Sequence, residues 1–453
     1  MKSDDLVDIT MLTAAQALAA LREGRTSAEE LVGGCLARIR ADEERVQAWA
    51  FIDETRALEQ ARNVDRVRRE GHAVGPLHGL PVGIKDIIDT ADMPTEDGTP
   101  LHAGRRPSHD ATVVERLRSA GAIILGKTVT TELATYAPGK TRNPVNPAHT
   151  PGGSSSGSAA AVAAHMVPVA VGTQTNGSVI RPASFCGVYG YKPTFGWVPR
   201  HGVLEQSRPL DQIGFMARSV EDLAILAEPL IGYDERDPAT KVMARPRLHE
   251  VALRAPPLPP VFAFTKTPNW GDAEEQTRDA FDEVAQALGD RVFPFDVPAV
   301  FADAWQWHAT IMEADLARNF HGLYERGGDQ LSDSLRGQIE RGRRVTAVDY
   351  NIALDRIQAT GTAFEELFDR CDVILTAAAA GPAPLGLAST GSPAFCTLWT
   401  FAGMPAVTLP LLRADNGLPM GIQLVGRRGD DARLLRTARW FTSWVQALES
   451  GNV

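Results

Sequence analysis

Serine, threonine and glycine are concentrated in two runs of this chain, TPGGSSSGSAAAVAA at residues 150–164 and VGTQTNGSVIRPASFCG at residues 171–187. Far upstream a solitary lysine, Lys85, follows the apolar residues of GLPVGIKD. A hydroxyl becomes a nucleophile when a neighbouring base takes its proton. A lysine can be that base if burial removes its charge, because desolvation lowers an amine from its ordinary pKa of about 10.4. Serine and lysine together can therefore carry out acyl transfer with neither histidine nor metal. Glycines beside the hydroxyls let successive backbone N–H groups converge on the oxyanion that such a reaction creates.

Two other chemistries fit the same letters less well. Residues 153–157, GSSSG, match the G-x-S-x-G elbow, which would make Ser155 the nucleophile of a strand-to-helix turn. The preceding NPVNPAHTPGG is broken by prolines, however, and none of His201, His249, His308 and His321 lies in a convincing sequence context for a triad histidine. A phosphate-cradling loop fails because Ser158 stands where its lysine is required. The bland alternative is two flexible loops with a serine-rich helix cap, in which Ser155, Ser156 and Ser158 only hydrogen-bond locally.

The elements around these runs must hold them rigidly. HGLPVGIKDIIDT, AGAIILGKT and HMVPVAVGTQT are short apolar runs ended by turn or polar residues, and DATVVERLRSAG and SSGSAAAVAA lie between them with helical texture. That alternation predicts an α/β sheet buried on both faces. The chain opens with helices, since Thr13 with Gln16 and Ser27 with Glu30 have capping-box spacing ahead of periodic apolar segments. From about 236 to 300 prolines break the pattern around a strand-like VFAFTK; from 302 to 369 the aromatic and aliphatic spacing predicts amphipathic helices covering one side of the sheet. DVILTAAA, MPAVTLPLL and GLPMGIQLVG return to strand texture and are expected to complete the sheet.

With 453 residues and 44% hydrophobic content the chain can bury a large core. Its net charge of -10 disfavours a nucleic-acid partner, which needs concentrated lysine and arginine. Cys35, Cys186, Cys371 and Cys396 lack the spacing of a disulfide framework or a zinc site, so no metal or cofactor and a reducing cytoplasm are expected. The acidic MKSDDLVDIT is unlike a signal peptide. The apolar run 159–172 is too short and too interrupted for a membrane span.

GLPVGIKDIIDT, GKTVTTELA, NPVNPAHTPGGSSSGSAAAVAA, GTQTNGSVIRPASFCGVYGYKPTFG, LDQIGFMARSVEDLA, and GMPAVTLP with GLPMGIQLVG occur in this order, and together they resemble the amidase signature family over most of the chain outside 236–370. The resemblance implies an α/β/α sandwich around a mixed, twisted sheet. It also implies a triad with Ser178 as nucleophile, Ser154 as bridging serine and Lys85 as base, a cis peptide between Gly153 and Ser154, and an oxyanion hole in Thr175, Asn176, Gly177 and Ser178. One domain is expected over 1–453, with a helical segment at 1–59, a core at 60–235 and 370–440, and a variable covering region at 236–370. Arg181 is expected to anchor the loop, and Cys186 to be a packed thiol. Ala134 and Thr135 are expected to line the substrate site. Trp305, Trp307 and His308 either line it too or pack a helix on the sheet, and their spacing serves both.

The chain departs from the commonest family pattern at three places. Gln174 stands where aspartate is frequent, Asn176 replaces the first glycine of Gly-Gly-Ser, and arginine follows the nucleophile by three residues instead of two. The oxyanion hole, and with it substrate preference, is where these changes act. The implied reaction is hydrolysis of a small to medium, partly apolar amide; carbamates, ureas and aryl esters are alternatives by the same acyl-enzyme route. Two further alternatives are the A subunit of a tRNA-dependent amidotransferase and a catalytically silent scaffold. The expected partner is the small-molecule amide or carbamate, with no nucleic acid and no membrane; a homodimer is left open.

Overall fold

A computed structural model describes residues 8–450. The first seven residues, part of the expected N-terminal helical segment and of the acidic stretch, lie outside the described residues. Eleven strands form one sheet: β1 (Trp49–Ile52), β2 (Pro81–Lys85), β3 (Ile123–Thr128), β4 (Val169–Gln174), β5 (Tyr189–Lys192), β6 (Gln212–Ala217), β7 (Phe262–Lys266), β8 (Val292–Asp296), β9 (Val373–Ala377), β10 (Ala406–Arg413) and β11 (Pro419–Val425). Their order across the sheet is β1-β3-β2-β4-β6-β5-β10-β11-β9-β7-β8. β2 runs parallel to β3 and β4, and β7 parallel to β8 and β9, while the other neighbours are antiparallel. Every residue of β2, β3, β4, β6, β9 and β11 is buried, so both faces of the sheet are covered. This is the expected mixed α/β sandwich.

Both N-terminal capping boxes form, Thr13 with Gln16 and Ser27 with Glu30, and start the helices Ala14–Glu23 and Ala28–Val46. The region 236–370 does more than cover the sheet, because it also supplies β7 and β8. VFPFD of β8 carries a proline that a central strand would not accommodate, and an edge strand tolerates it. The rest of that region is mainly helical, with Ala304–Asn319 packing its Ile311 and Leu316 into an apolar cluster with Trp399 and Phe401.

The parallel pairing of β2 and β4 is what positions the site. Ile84 lies opposite Val171, so Lys85 at the end of β2 and Thr173 and Gln174 at the end of β4 emerge together at one edge. Between those strands in sequence runs the helix Ser156–Ala163, SGSAAAVA. It is small and apolar all round because it is interior on all sides; Ser156 to Val162 are all buried. Gly157 lets it approach β3 closely, since a Cβ there would stand 2.2 Å from the Ala48 carbonyl oxygen and 2.3 Å from the Val129 nitrogen. That close packing fixes where the serines at the start of the helix sit.

Candidate active site

Lys85 is fully buried, and its Nζ lies 2.6 Å from Ser154 Oγ and 2.7 Å from Thr173 Oγ1. Burial holds its amine well below the ordinary lysine value, against an opposing pull from Asp211. Two other lysines are equally buried and differently held. Lys127 is ion-paired with Asp86 at 3.1 Å; Lys192 donates to Gln212 Oε1 at 2.8 Å and to the Met404 carbonyl. Lys85 alone of the three is met only by hydroxyls, which donate as readily as they accept. Its surroundings thus suit the neutral amine as well as the ammonium.

The peptide between Gly153 and Ser154 is cis. Ser154 is buried beside Lys85, whereas Ser178 is the one partly exposed residue between Val171 and Ile180. Among the described residues the Ser178 hydroxyl has no hydrogen-bond partner, so the structure forms the Lys85–Ser154 link and leaves Ser178 open. Ser155 is placed differently. Its Oγ donates to the Thr173 carbonyl at 3.1 Å and accepts from the Thr173 N–H at 3.2 Å, tying the start of the buried helix to β4. Gly172 admits this contact, because a Cβ there would stand 2.6 Å from Ser155 Oγ. The G-x-S-x-G match is therefore a strut.

Around the turn Thr175–Ser178 the departures from the family pattern find their partners. Gln174 Oε1 accepts from the N–H groups of Val179 and Ile180 at 2.8 and 3.0 Å, as a carboxylate would, and its Nε2 donates to Thr400 Oγ1 at 2.9 Å. Asn176 does not adopt a positive φ. Its Oδ1 accepts from Thr397 Oγ1 at 2.7 Å, its Nδ2 donates to Tyr136 Oη at 3.2 Å, and its carbonyl accepts from Thr400 Oγ1 at 2.5 Å. The N–H groups of Asn176, Gly177 and Ser178 donate to no acceptor among the described residues. They are three adjacent, uncommitted donors next to an uncommitted hydroxyl.

Arg181 is buried, and its Nη2 donates to the Gly153 carbonyl at 2.7 Å and to Thr390 Oγ1 at 3.2 Å, which is the anchoring expected of it. Its Nε and Nη1 have no partner among the described residues, and no carboxylate among them is within ion-pair distance. Burial accordingly pulls this guanidinium below its ordinary pKa. Cys186 is a buried free thiol donating to the Pro151 carbonyl.

Trp305 and Trp307 hold the helix Ala304–Asn319 against the helix Ala394–Phe401. Trp305 Nε1 donates to the Ala394 carbonyl at 2.9 Å, and the Trp307 ring packs 6.1 Å from Phe401, with the Arg356 guanidinium also over the ring. His308 reaches the site itself, since its Nε2 donates to the Thr175 carbonyl at 2.8 Å and burial pushes its pKa down to about 4. Ala134 is buried with a φ of 57° beside Leu133 at 45°; Thr135 is buried too, its Oγ1 donating to the Glu132 carbonyl. Thr173, Gln206, Asp211, Thr397 and Thr400 are contributors that spacing did not single out. A visible signal existed for the last two, as two hydroxyls about one turn apart in the otherwise apolar AFCTLWTF.

A family profile described as Amidase matches residues 30–435. The A subunit of the glutamyl-tRNA(Gln) amidotransferase of Chloroflexus aurantiacus is 36% identical to the chain over 475 aligned positions, covering 95% of this chain and 96% of that protein. Of the solved structures, one of a vestigial protein complex connected with the origins of an s-triazine catabolic enzyme superposes with a TM-score of 0.89 at 26% identity, covering 96% of this chain and 98% of the other. The structure of 6-aminohexanoate cyclic dimer hydrolase superposes with a TM-score of 0.85 at 26% identity, covering 97% and 98%.

Proposed function

The chain belongs to the amidase family, enzymes acting on carbon–nitrogen bonds, and from that premise we propose that it hydrolyses an amide through an acyl-enzyme on Ser178. The observation that carries this reading is the fully buried Lys85 amine held by hydroxyls alone, 2.6 Å from Ser154, beside an open Ser178. Lys85 as neutral amine takes the Ser154 proton while Ser154 takes that of Ser178, once the Ser178 hydroxyl turns onto Ser154. Ser178 Oγ then bonds to the amide carbon. The negative charge on the carbonyl oxygen is met by the free N–H groups of Asn176, Gly177 and Ser178, each such donor being worth about 3 kcal/mol in the transition state. The proton returns through Ser154 to the leaving nitrogen as the C–N bond breaks. Water, deprotonated by the same relay, releases the acid and regenerates Ser178.

The substrate we propose is a small to medium amide. The aromatic residues of 236–370 are committed largely to one another and to their neighbours, as in the Phe301–Phe364 and Trp307–Phe401 pairs. The uncommitted Nε and Nη1 of Arg181 favour an oxygen-rich group, such as a carboxylate, near the scissile bond. The test is a turnover screen of aliphatic and aryl amides, carbamates and ureas, each with and without a free carboxylate, on wild type and Ser178→Ala. Ser178→Ala is expected to lose at least about 1,000-fold in kcat/KM, and acid-bearing amides to be preferred. Turnover by Ser178→Ala at the wild-type rate would sink the assignment.

A second reading is favoured by the Chloroflexus relative, which matches over nearly its whole length. In that reading the chain is the amidase component of an amidotransferase. Glutamine turnover together with stable copurification of further subunits would establish it; brisk hydrolysis by the isolated chain without glutamine preference would exclude it.

A further inference from the structure

Thr175 makes two short contacts that cannot both be donations. Its Oγ1 lies 2.6 Å from Gln206 Oε1 and 2.6 Å from Asp211 Oδ1, and a hydroxyl has one hydrogen. Gln206 cannot be turned round to relieve this, because its Nε2 donates to the Leu133 carbonyl at 2.9 Å and the flipped amide would aim oxygen at oxygen. The other carboxylate oxygen, Oδ2, is occupied as an acceptor by the N–H groups of Gln206 and Ser207 at 2.8 and 3.0 Å. The missing hydrogen therefore belongs on Oδ1.

We infer that Asp211 is a positioning residue that works protonated: it donates to Thr175, so that Thr175 donates to Gln206 and Gln206 holds the Leu133 carbonyl. This rests on the reading of Thr175–Ser178 as the oxyanion turn. The chain of donors joins that turn to the segment at Leu133 and Ala134, whose φ values of 45° and 57° need an external hold. Ionisation of Asp211 takes away the hydrogen that orients all three links. Thr175 then turns to the carboxylate, Gln206 faces an oxygen with no hydrogen between, and the Leu133 carbonyl is released.

The charges facing Asp211 act in both directions. Lys85 approaches from β2, and a neutral Asp211 withdraws the one anion that would hold Lys85 charged. Arg200 donates to the main-chain carbonyl of Asp211 at 3.0 Å, and its charge, shared with Asp237 at 2.8 Å, opposes protonation of Asp211. Arg208 and Glu205 pair with each other in the exposed part of the same loop. From the helix Ala304–Asn319 come His308, neutral and bound to the Thr175 carbonyl, and Asp315, which accepts from Ser207. Burial pushes the Asp211 carboxyl up to about 6 against donation from Thr175, the charge of Arg200, and donation from Ser207 and Gln206. With Thr175 accepting instead, that opposition weakens. A cavity of about 300 Å³ bordered by Thr173, Thr175, Gln206 and Asp211 gives the proton access to water.

The test compares Asp211→Asn, Asp211→Ala and Ser178→Ala with wild type. Asparagine keeps an acceptor for Gln206 and Ser207 and a permanent donor for Thr175. Asp211→Ala is expected to lose about 100-fold in kcat/KM, the scale of a misplaced oxyanion donor, and Asp211→Asn to restore most of it. Wild type is expected to decline as pH rises through the Asp211 ionisation, and Asp211→Asn to hold level there. Infrared spectra should contain, below the Asp211 ionisation, a protonated-carboxyl stretch that Asp211→Asn lacks. If Asp211→Ala does not fold, Gln206→Met cuts the same chain and is expected to lower kcat more than KM. A folded Asp211→Asn as impaired as the alanine variant, or one that keeps the alkaline decline, overturns the inference. Full turnover by Ser178→Ala overturns the site reading instead, and leaves the carboxyl band where it is.

Discussion

Lys85 differs from the other buried lysines in what it is offered. Lys127 has a carboxylate beside the Thr95 hydroxyl, and Lys192 an amide oxygen and a carbonyl, so each has at least one partner that can only accept; burial still pulls Lys192 to about 7. Lys85 has two hydroxyls, and its amine is held well below 10.5. Between the lowered value and the ordinary one the unfolded chain binds a proton that the folded chain does not, so folding stability rises with pH across that window. Activity follows the same sign. kcat/KM is expected to climb with pH as Lys85 loses its proton, on a limb well below the ordinary lysine range, and Lys85→Arg, which stays charged, should lower turnover by at least about 1,000-fold. A pH–rate profile of both proteins checks this, and a rising limb in the ordinary lysine range would contradict it. Serine and lysine as candidate reacting groups were legible from residue types alone. What Ser155 does instead was not, although the prolines before GSSSG already weighed against an elbow; its role shows only once its hydroxyl is seen bonded to β4.

The elements around the site divide the labour between holding and reacting. β2 and β4 bring Lys85 and Thr173 together by parallel register. The helix Ala394–Phe401 fixes the turn from one side through Thr397 and Thr400, and the helix Ala304–Asn319 does so through His308. His308 gives this second clamp a pH limit. Its folded pKa is about 4 against an ordinary 6.5, so stability that is complete above 6.5 is lost as pH falls through 4, by roughly 3 kcal/mol. His308→Gln can keep the donor and cannot titrate. It is expected to move acid unfolding, followed by circular dichroism, to lower pH; an unchanged acid transition would exclude His308 as its cause. The periodicity of the helix was visible in sequence, but that one of its polar positions reaches a carbonyl at residue 175 was not, because it depends on how the helix docks. Trp305 and Trp307, equally visible, are engaged with neighbouring helices.

At the scale of the whole molecule the strand textures near the C-terminus were read correctly, and β10 and β11 complete the sheet. What the sequence could not convey was their place in it. β10 lies between β5 and β11, and β5 is the neighbour of β6, so the last-made strands join the two halves of the sheet. We propose that the chain folds as one unit for this reason. A fragment ending at residue 235 holds Lys85, Ser154, Gln174 and Ser178 but lacks His308, Thr397 and Thr400. It is expected to be inactive, and to regain soluble activity when coexpressed with 236–453; autonomous activity of the fragment would refute the proposal. β7 was visible as the strand-like VFAFTK, whereas β8 was hidden for a simpler reason, since its proline made the segment read as irregular and an edge strand accommodates it. The position of β10 also governs what happens during translation. Until β10 (Ala406–Arg413) has left the ribosome, the margin of β5 has no mate, and an uncovered strand margin is a template for association with other chains. Slow synthesis of this stretch, or a premature stop within it, therefore exposes the cell to aggregates of an otherwise well-packed polypeptide.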